Sequence, residues 1–521
     1  MLRIPLVVRD LFASDGFFII ANEKPIQAMI DGIKDSSTDG ESVGMLATES
    51  RIEKAEKKHF EPGSKLAHSE KVIPVIPVMP DVHDEPVYKE SIYKEKIHEI
   101  LQSESRPELI IASLKKHIEH INSYIIGRND IILQAIFALL TGEHLLILSR
   151  TGMAKSYLAN AIFSIFDAAR LFSSQASKDQ TPDNYFGPYN MEEFRKGRIK
   201  HNIKGSVIEA NFIFLDEFFD ASDVVLRSLL SVLNERKFIN GSEQIDTSVH
   251  TAIATANYMR ANEVTEAILD RFTYKSIIPE MSNTYSQLKI DKSYEGLKGK
   301  ISEPGRRIPF DRLIDLHNIV LNKNKDYKIE IPDFIYFMKN VIVNKYTSDM
   351  RLSDSKFFVS PRKQAKLSDF LRASALFNGR KEVNMDDLKD LYLGLCTLNS
   401  HVVIKTVDKS EMEIYLDVYQ KTMTHFTATG AIDQIRFLLE VKRLLHDLKW
   451  NPDRKDSILS GSGPLASIFN LLMKIFPGRN KDESEKITIQ GLKQSVSELN
   501  PAVEEVHELK FGILIEYHDL V

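Results

Sequence analysis

Apolar and polar positions along this chain fall into blocks of changing period, and the central third carries the clearest of them. Leu145-Leu146-Ile147-Leu148 is a short apolar run followed at once by turn residues, so it predicts a buried central strand after His144. From Lys155 to Phe172 the apolar positions Leu158, Ala161, Ile162, Ile165, Phe166 and Ala169 share one helical face and predict a helix over that span. Asn211 to Glu217 reads as an apolar strand ending in two carboxylates, expected beside the first strand. His250 to Thr255 reads as a third strand, ending at Ala256-Asn257, and another strand-like run follows Leu269-Asp270-Arg271-Phe272. Between them Ser222 can cap a helix with Val225, Leu226, Leu229, Leu230 and Leu233 on one side, and Asn240-Gly241 predicts a hairpin turn.

The flanking pattern sets the domain boundaries. Residues 1–35 hold enough apolar side chains for a small docking element but too few for a core of their own. Residues 36–92 turn polar and Lys/Glu-rich, then proline-rich at Pro74, Pro77, Pro80 and Pro86, and read as an extended linker. A core is expected over 93–282, with helical pieces from Ser91 to Tyr124 and an apolar helix from Ile131 to Leu140. Within it, Thr181-Pro182-Asp183 is a helix start, with Thr181 capping and proline at the first position. The stretch 185–210, with glycines at 187, 197 and 205, reads as β-compatible and locally basic through Arg195, Lys196, Arg198, Lys200, His201 and Lys204. It can be a solvated hairpin balanced by Glu192 and Glu193, or a loop that grips a partner, nucleic acid included.

Residues 283–309, polar and broken by Pro304-Gly305, read as a crossing linker. Helices are expected near Asp311 to Asn322, from Pro332 to Tyr346 and from Ser360-Pro361, making a helical unit over 310–408. The tail, 409–521, reads as a helical accessory domain: one long helix ending near Trp450, a second from Leu465 to Phe476, and a helix or strand-like return from Pro501 to Tyr517.

Composition narrows the class without naming it. The 521 residues are 43% hydrophobic and 27% charged, which fits a globular chain of about three or four domains. A net charge of -5 gives no general pull toward DNA or anionic membrane. One cysteine, Cys396, excludes an internal disulfide framework, fits a reducing compartment and lies in an apolar stretch that predicts a packed thiol. No apolar run reaches the roughly 18 residues of a membrane span. The opening segment is broken by Pro5, Arg9 and Asp10, unlike a secretory signal, so a cytoplasmic protein is expected.

The chemistry concentrates at LLILSRTGMAKS, Leu145 to Ser156. A strand, a Gly-containing turn and a helix opening at Lys-Ser form a cradle for phosphates, because backbone N–H groups and the helix dipole face the anion. Lys155 is then placed for the β- and γ-phosphates of a nucleotide and Ser156 for the accompanying Mg²⁺. The usual pattern is G-x-x-x-x-G-K-[ST]; here Ser149 and Ala154 take the glycine positions, and Ala154 is tolerable there if its φ is negative. A plain strand-to-helix loop carrying an unrelated Lys-Ser fits the same octet. The later carboxylates weigh against that reading: Asp216 suits Mg²⁺, Glu217 can polarise a water, and Asn257 can hold the same water.

From about Arg106 to about Ser400 the chain resembles the MoxR family of AAA+ ATPases, most closely its RavA branch. The stretches that carry the resemblance are IIGRNDIILQAIFALLTGEHLLIL, TGMAKS, TPDNYFGP, FIFLDEFFDASDVVLRSLLSVLNERKFING, ATANY, LDRF and VSPRKQAKLSDFLRASALFNGR. The resemblance implies an α/β fold: an AAA+ P-loop core with a parallel sheet and helices on both faces, then an α-helical lid, beside a mostly α C-terminal domain. It implies ATP and Mg²⁺ as cofactors, with Ile126 and Gly127 at the base. Arg150, Thr151, Gly152, Met153, Ala154, Lys155, Ser156 and Tyr157 lie along the phosphates, and Ser156 and Asp216 at the metal. It makes Asp216 and Glu217 the Walker B pair, Asn257 sensor 1, Arg271 the arginine finger offered to a neighbouring subunit and Arg362 the sensor 2 arginine. The insert at 185–210 and the hairpin at Asn240-Gly241 would then face the pore of a ring, and Asn234-Glu235-Arg236 also fits the family, although a surface helix end reads equally well. Arg271 could instead pair within its own chain with Asp270. The implied function is ATP hydrolysis by a ring, hexameric in the family, that remodels a protein client or loads a metal or cofactor. An ATP-gated scaffold that hydrolyses slowly, or a motor acting on nucleic acid, are the alternatives.

Overall fold

A computed structural model describes residues 106–240, 243–258, 268–278, 283–302, 305–353, 355, 357–395, 410–451, 464–477 and 489–518. The expected docking element (1–35), the linker (36–92), the helical pattern from Ser91 to 105, Gly241, Pro304 and Cys396 lie outside these residues.

The chain enters through α1 (Pro107–Tyr124) and α2 (Asn129–Thr141), the latter apolar on every side and buried throughout 131–141. There follow β1 (Leu145–Leu148), α3 (Lys155–Phe163), β2 (Phe166–Asp167) and β3 (Leu171–Gln175). Two short helices, α4 (Asp183–Phe186) and α5 (Met191–Arg195), precede β4 (Phe212–Asp216) and α6 (Asp223–Glu235). The hairpin β5 (Lys237–Asn240) and β6 (Glu243–Asp246) leads to β7 (Thr251–Ala256) and β8 (Tyr274–Ile277). Strands β1, β3, β4, β7 and β8 form one parallel sheet in the order β3-β4-β7-β1-β8. The carboxylate strand β4 is therefore not beside β1, as the sequence suggested; β7 lies between them, with Leu145 opposite Ile253 and Phe212 opposite Thr251. The order reverses at β1, and in open α/β sheets ligands bind at the carboxyl ends of the strands at such a reversal.

Side-chain alternation divides the sheet into two apolar faces. Leu145, Ile147, Phe212, Phe214 and Ile253 join the core shared with α2 and α3. Leu146, Ile213, Leu215, Ala252 and Ala254 join the core under α6, with Val225, Leu226, Leu229 and Leu233. Ser222 caps α6 by accepting from the Val225 N–H, as its position predicts.

Three further expectations are corrected. The helix expected from Lys155 to Phe172 ends at Phe163, because Phe166 and Asp167 pair with Ile308 and Pro309 of β9 (Ile308–Pro309) and 171–175 pair with β4. Strand partners far along the chain override a local helical period there. Thr181 does not cap α4: Pro182 takes the cap position, and the Thr181 N–H and hydroxyl both donate to Asn184 Oδ1 at 2.9 and 3.2 Å. The polar stretch after Asn283 is not a plain linker but contains α7 (Thr284–Leu297), opened by Asn283 accepting from the Tyr285 and Ser286 N–H groups. No residue of α7 is buried: its apolar side chains Tyr285, Leu288, Ile290 and Tyr294 are exposed, so no core-facing stripe marks it.

Helices α8 (Phe310–Val320), α9 (Asp333–Ser353), α10 (Pro361–Phe377), α11 (Met385–Lys389) and α12 (Tyr392–Leu395) build the helical unit beside α2. Phe137 packs on Phe370 with ring centroids 4.8 Å apart, and Gln134 Nε2 donates to the Leu393 carbonyl at 2.9 Å. Beyond it, α13 (Glu411–Ala428) opens with a reciprocal cap between Ser410 and Glu413. The tail continues through α14 (Ala431–Trp450), α15 (Pro464–Ile475), α16 (Ile489–Glu498) and α17 (Glu504–Glu516), so its last element is a helix. Ile435, Leu438, Leu445 and Leu448 form the buried side of α14, as their spacing predicts.

Candidate active site

Four strand ends bring the reactive side chains together. At the end of β1, the Ser149 N–H donates to the Ala256 carbonyl at 3.0 Å, and the Ser149 carbonyl accepts from Lys155 Nζ at 3.2 Å. Ser149 itself is buried and turns its hydroxyl to the Arg150 carbonyl, so its side chain leaves the turn open. Lys155 opens α3, is buried, and donates to Asn257 Oδ1 at the end of β7. Burial pushes the Lys155 ammonium below its usual range, while Asp216 and Glu217 pull it back up.

Around Asp216 the geometry suits a hard cation. Ser156 Oγ donates to Asp216 Oδ2 at 2.6 Å, and Thr255 Oγ1 donates to Oδ1, which also accepts the Glu217 N–H at 3.0 Å. Ser156 and Asp216 thus present two convergent oxygens, the sparse protein contribution that Mg²⁺ accepts when phosphates and waters complete its shell. Glu217, at φ 52°, is aimed by two amides: Asn257 Nδ2 reaches Oε1 at 3.4 Å and Gln175 Nε2 reaches Oε2 at 2.9 Å. Gln175, at the end of β3, carried no sequence signal; only the strand order brings it beside Glu217.

The turn does not meet the condition under which alanine is free of strain at 154. Ala154 lies at φ 59°, ψ 33°, not at negative φ. A left-handed conformation costs a non-glycine residue roughly 1–2 kcal/mol, set against about 0.5–1 kcal/mol of extra chain entropy that glycine loses on folding. Ala154→Gly is therefore expected to raise unfolding stability by about 0.5–1 kcal/mol, read as a higher urea midpoint. A lower midpoint would mean that the Ala154 methyl group packs well enough to outweigh the strain.

The remaining expected residues fall into two further groups. Tyr157 meets Tyr124 edge to face at 5.9 Å between centroids and donates to the Lys300 carbonyl at 2.8 Å, while Gly127, at φ 70°, takes the Arg128 Nη1 donor on its carbonyl. Arg150, Thr151 and Gly152 are exposed, and Ile126 and Met153 are partly so. Arg271 and Arg362 meet at Asp270: Arg271 Nη1 lies 3.1 Å and Arg362 Nη1 3.6 Å from Asp270 Oδ2, and Ser360 Oγ donates to Oδ1 at 3.0 Å. Ser360 also caps α10 through the Lys363 N–H, as its sequence predicts.

The two regions expected at a pore are structurally distinct. The hairpin forms, with Phe238 opposite Ile245. The basic stretch is mostly irregular, with α5 and a single antiparallel bridge between Tyr189 and His201, and Glu193 holds Lys196 at 2.8 Å and Arg198 at 3.7 Å. Arg236 is no surface helix end. It adopts φ 57° after α6, and its Nη2 donates to the Gly142 carbonyl at 2.5 Å and the His250 carbonyl at 3.1 Å, with burial pushing its guanidinium down to about 10. It ties the hairpin base to the residues leading into β1 and β7.

Residues 112–292 match the family model of the MoxR domain in MoxR-vWA-β-propeller ternary systems, and residues 330–396 match the AAA lid domain. An uncharacterized protein of Methanocaldococcus jannaschii is 26% identical over 400 residues, 76% of this chain and 95% of that protein. The chaperone MoxR1 of Mycobacterium tuberculosis is 27% identical over 169 residues, 32% of this chain and 44% of that protein. Among solved structures, a chain from Cytophaga hutchinsonii is 19% identical, with 62% of this chain and 98% of that one covered at a TM-score of 0.49. Among the described residues no helix is long and apolar enough to cross a membrane. The parallel sheet, its strand order and the two matched regions make this an AAA+ α/β fold with its helical lid, similar over residues 112–292 to MoxR domains.

Proposed function

We propose that the chain is a Mg²⁺-dependent ATP hydrolase of the MoxR type, of the RavA-like branch by the stretches quoted above. It works as a homo-oligomeric ring, a hexamer, that remodels a protein client. The observation that carries this reading is the convergence of Lys155, Ser156, Asp216, Glu217 and Asn257 at the carboxyl ends of β1, β4 and β7. Lys155 and the N-terminal turn of α3 hold the β- and γ-phosphates. Ser156 and Asp216 hold Mg²⁺, which supplies charge neutralisation on the phosphate oxygens when bound. Glu217 accepts the proton of the attacking water, and Asn257 and Gln175 fix its carboxylate for that task. Arg271 reaches the site of the neighbouring subunit, and Arg362 follows the lid onto the γ-phosphate of its own.

A protein client is favoured over nucleic acid because the net charge is -5 and the basic stretch at 195–204 is partly neutralised by Glu193. The matched MoxR model belongs to systems that pair this domain with vWA and β-propeller components, which points to protein partners of that kind. The purified chain is expected to hydrolyse ATP with added Mg²⁺ and to stop when EDTA removes it. Turnover that continues unchanged in EDTA would contradict the metal role given to Ser156 and Asp216.

A further inference from the structure

One carboxylate serves both arginines that the reading above assigns to phosphate. Asp270 Oδ2 holds Arg271 Nη1 at 3.1 Å and Arg362 Nη1 at 3.6 Å, and Oδ1 accepts the hydroxyl of Ser360, the cap of the lid helix α10. Asp270 belongs to the core, immediately before Arg271, whereas Ser360 and Arg362 belong to the lid. The lid helix is anchored to the core a second time, one turn further on, by Lys366 Nζ at 2.5 Å from Glu143 Oε2. That anchor, like the packing of Phe137 on Phe370, involves neither arginine, so the lid is tied to the core by purely structural contacts and by one tie made of the groups that phosphate would claim.

We propose that Asp270 is a positioning residue that couples a subunit's own nucleotide to the arginine it offers its neighbour. This rests on the roles proposed for Arg362 and Arg271. Before nucleotide binds, Asp270 is the counter-charge of Arg362 and keeps the lid cap on the core. A γ-phosphate carries more negative charge than one carboxylate and takes the guanidinium of Arg362 in its place. Asp270 is then left to Arg271 alone, and the guanidinium facing the next subunit is fixed on an undivided counter-charge. A filled site thus prepares the arginine that acts in the adjoining one. The exchange also sets a cost on binding, since ATP must displace a carboxylate to gain Arg362.

The test is a double-mutant cycle on ATP affinity in the full chain, with ATP turnover blocked by omitting Mg²⁺ and folding followed by circular dichroism. Asp270→Asn keeps an acceptor for Ser360 but removes the competing charge, so ATP should bind about two- to fivefold more tightly, the range of a partly exposed ion pair. In an Arg362→Ala background the same substitution should change affinity by less than about 1.5-fold, because nothing is left to release. Asp270→Glu, which keeps the carboxylate, should bind ATP like the parent chain. Should Asp270→Asn fail to fold, Asp270→Ser carries the same expectation. Unchanged or weaker binding on removal of the charge, or an equal gain with and without Arg362, overturns the proposal. If Arg362→Ala alone leaves ATP affinity here, and turnover in a separate assay with Mg²⁺, untouched, the fault lies instead in the sensor role given to Arg362.

Discussion

Arg271→Ala is expected to lower ATP turnover by about 10³-fold or more while leaving ATP binding nearly intact. The reason lies in where the residue stands. Arg271 precedes β8 and is held on Asp270, and it is separate from the hydrogen-bonded group that surrounds Lys155 and Asp216. A guanidinium in that position contributes little to holding nucleotide in its own subunit. In the role proposed for it, its charge would act on the transferring phosphoryl group, a contribution that exists only in the transition state. Steady-state hydrolysis and equilibrium binding of a non-hydrolysable analogue separate the two effects. Turnover that survives the substitution would reduce Arg271 to half of an intrachain ion pair with Asp270.

The second large effect is expected at Glu217, where Glu217→Gln should cost about 10² to 10⁴ in turnover with nucleotide still bound. Glu217 is the one carboxylate of the site that two side-chain amides aim from opposite oxygens. Asp216 already accepts from Ser156 and Thr255, and the metal role proposed for it would occupy those same oxygens, which leaves Glu217 as the base. Glutamine keeps the size of Glu217 but cannot accept the proton. A rate within about threefold of the parent chain would move the base elsewhere in the site.

Much of this site is legible in the sequence because chemistry and period coincide there. An apolar run ending in Asp216-Glu217, and another ending in Asn257, can place those groups only at strand ends. What the sequence could not supply was lateral order. β7 lies between β1 and β4, and only that order lets Asn257 reach both Lys155 and Glu217. Gln175 escaped for the same reason, being a single glutamine whose partner is set by strand pairing. The helix end at Phe163 was hidden because Ile165, Phe166 and Ala169 continue the helical period, although Phe166 is claimed by Ile308. The helix after Asn283 has no buried face to announce it, and Arg236, which could also be read as a surface helix end, is instead held on the Gly142 and His250 carbonyls, partners set by the fold. Ala154 shows a limit of another kind: its identity leaves the sign of φ open, and the turn imposes the positive value that glycine accepts more easily.

The central claim is that each ATP site is completed by a guanidinium from the next copy of the chain. Mixing two inactive variants, Glu217→Gln and Arg271→Ala, tests it directly. Co-assembled in equal amounts, they form some junctions in which an intact Glu217 on one chain faces an intact Arg271 on the other. ATP turnover in the mixture is therefore predicted to rise at least about tenfold above either variant alone. A mixture that shares one assembly and yet hydrolyses no faster than the sum of its parts would show that no residue crosses between subunits.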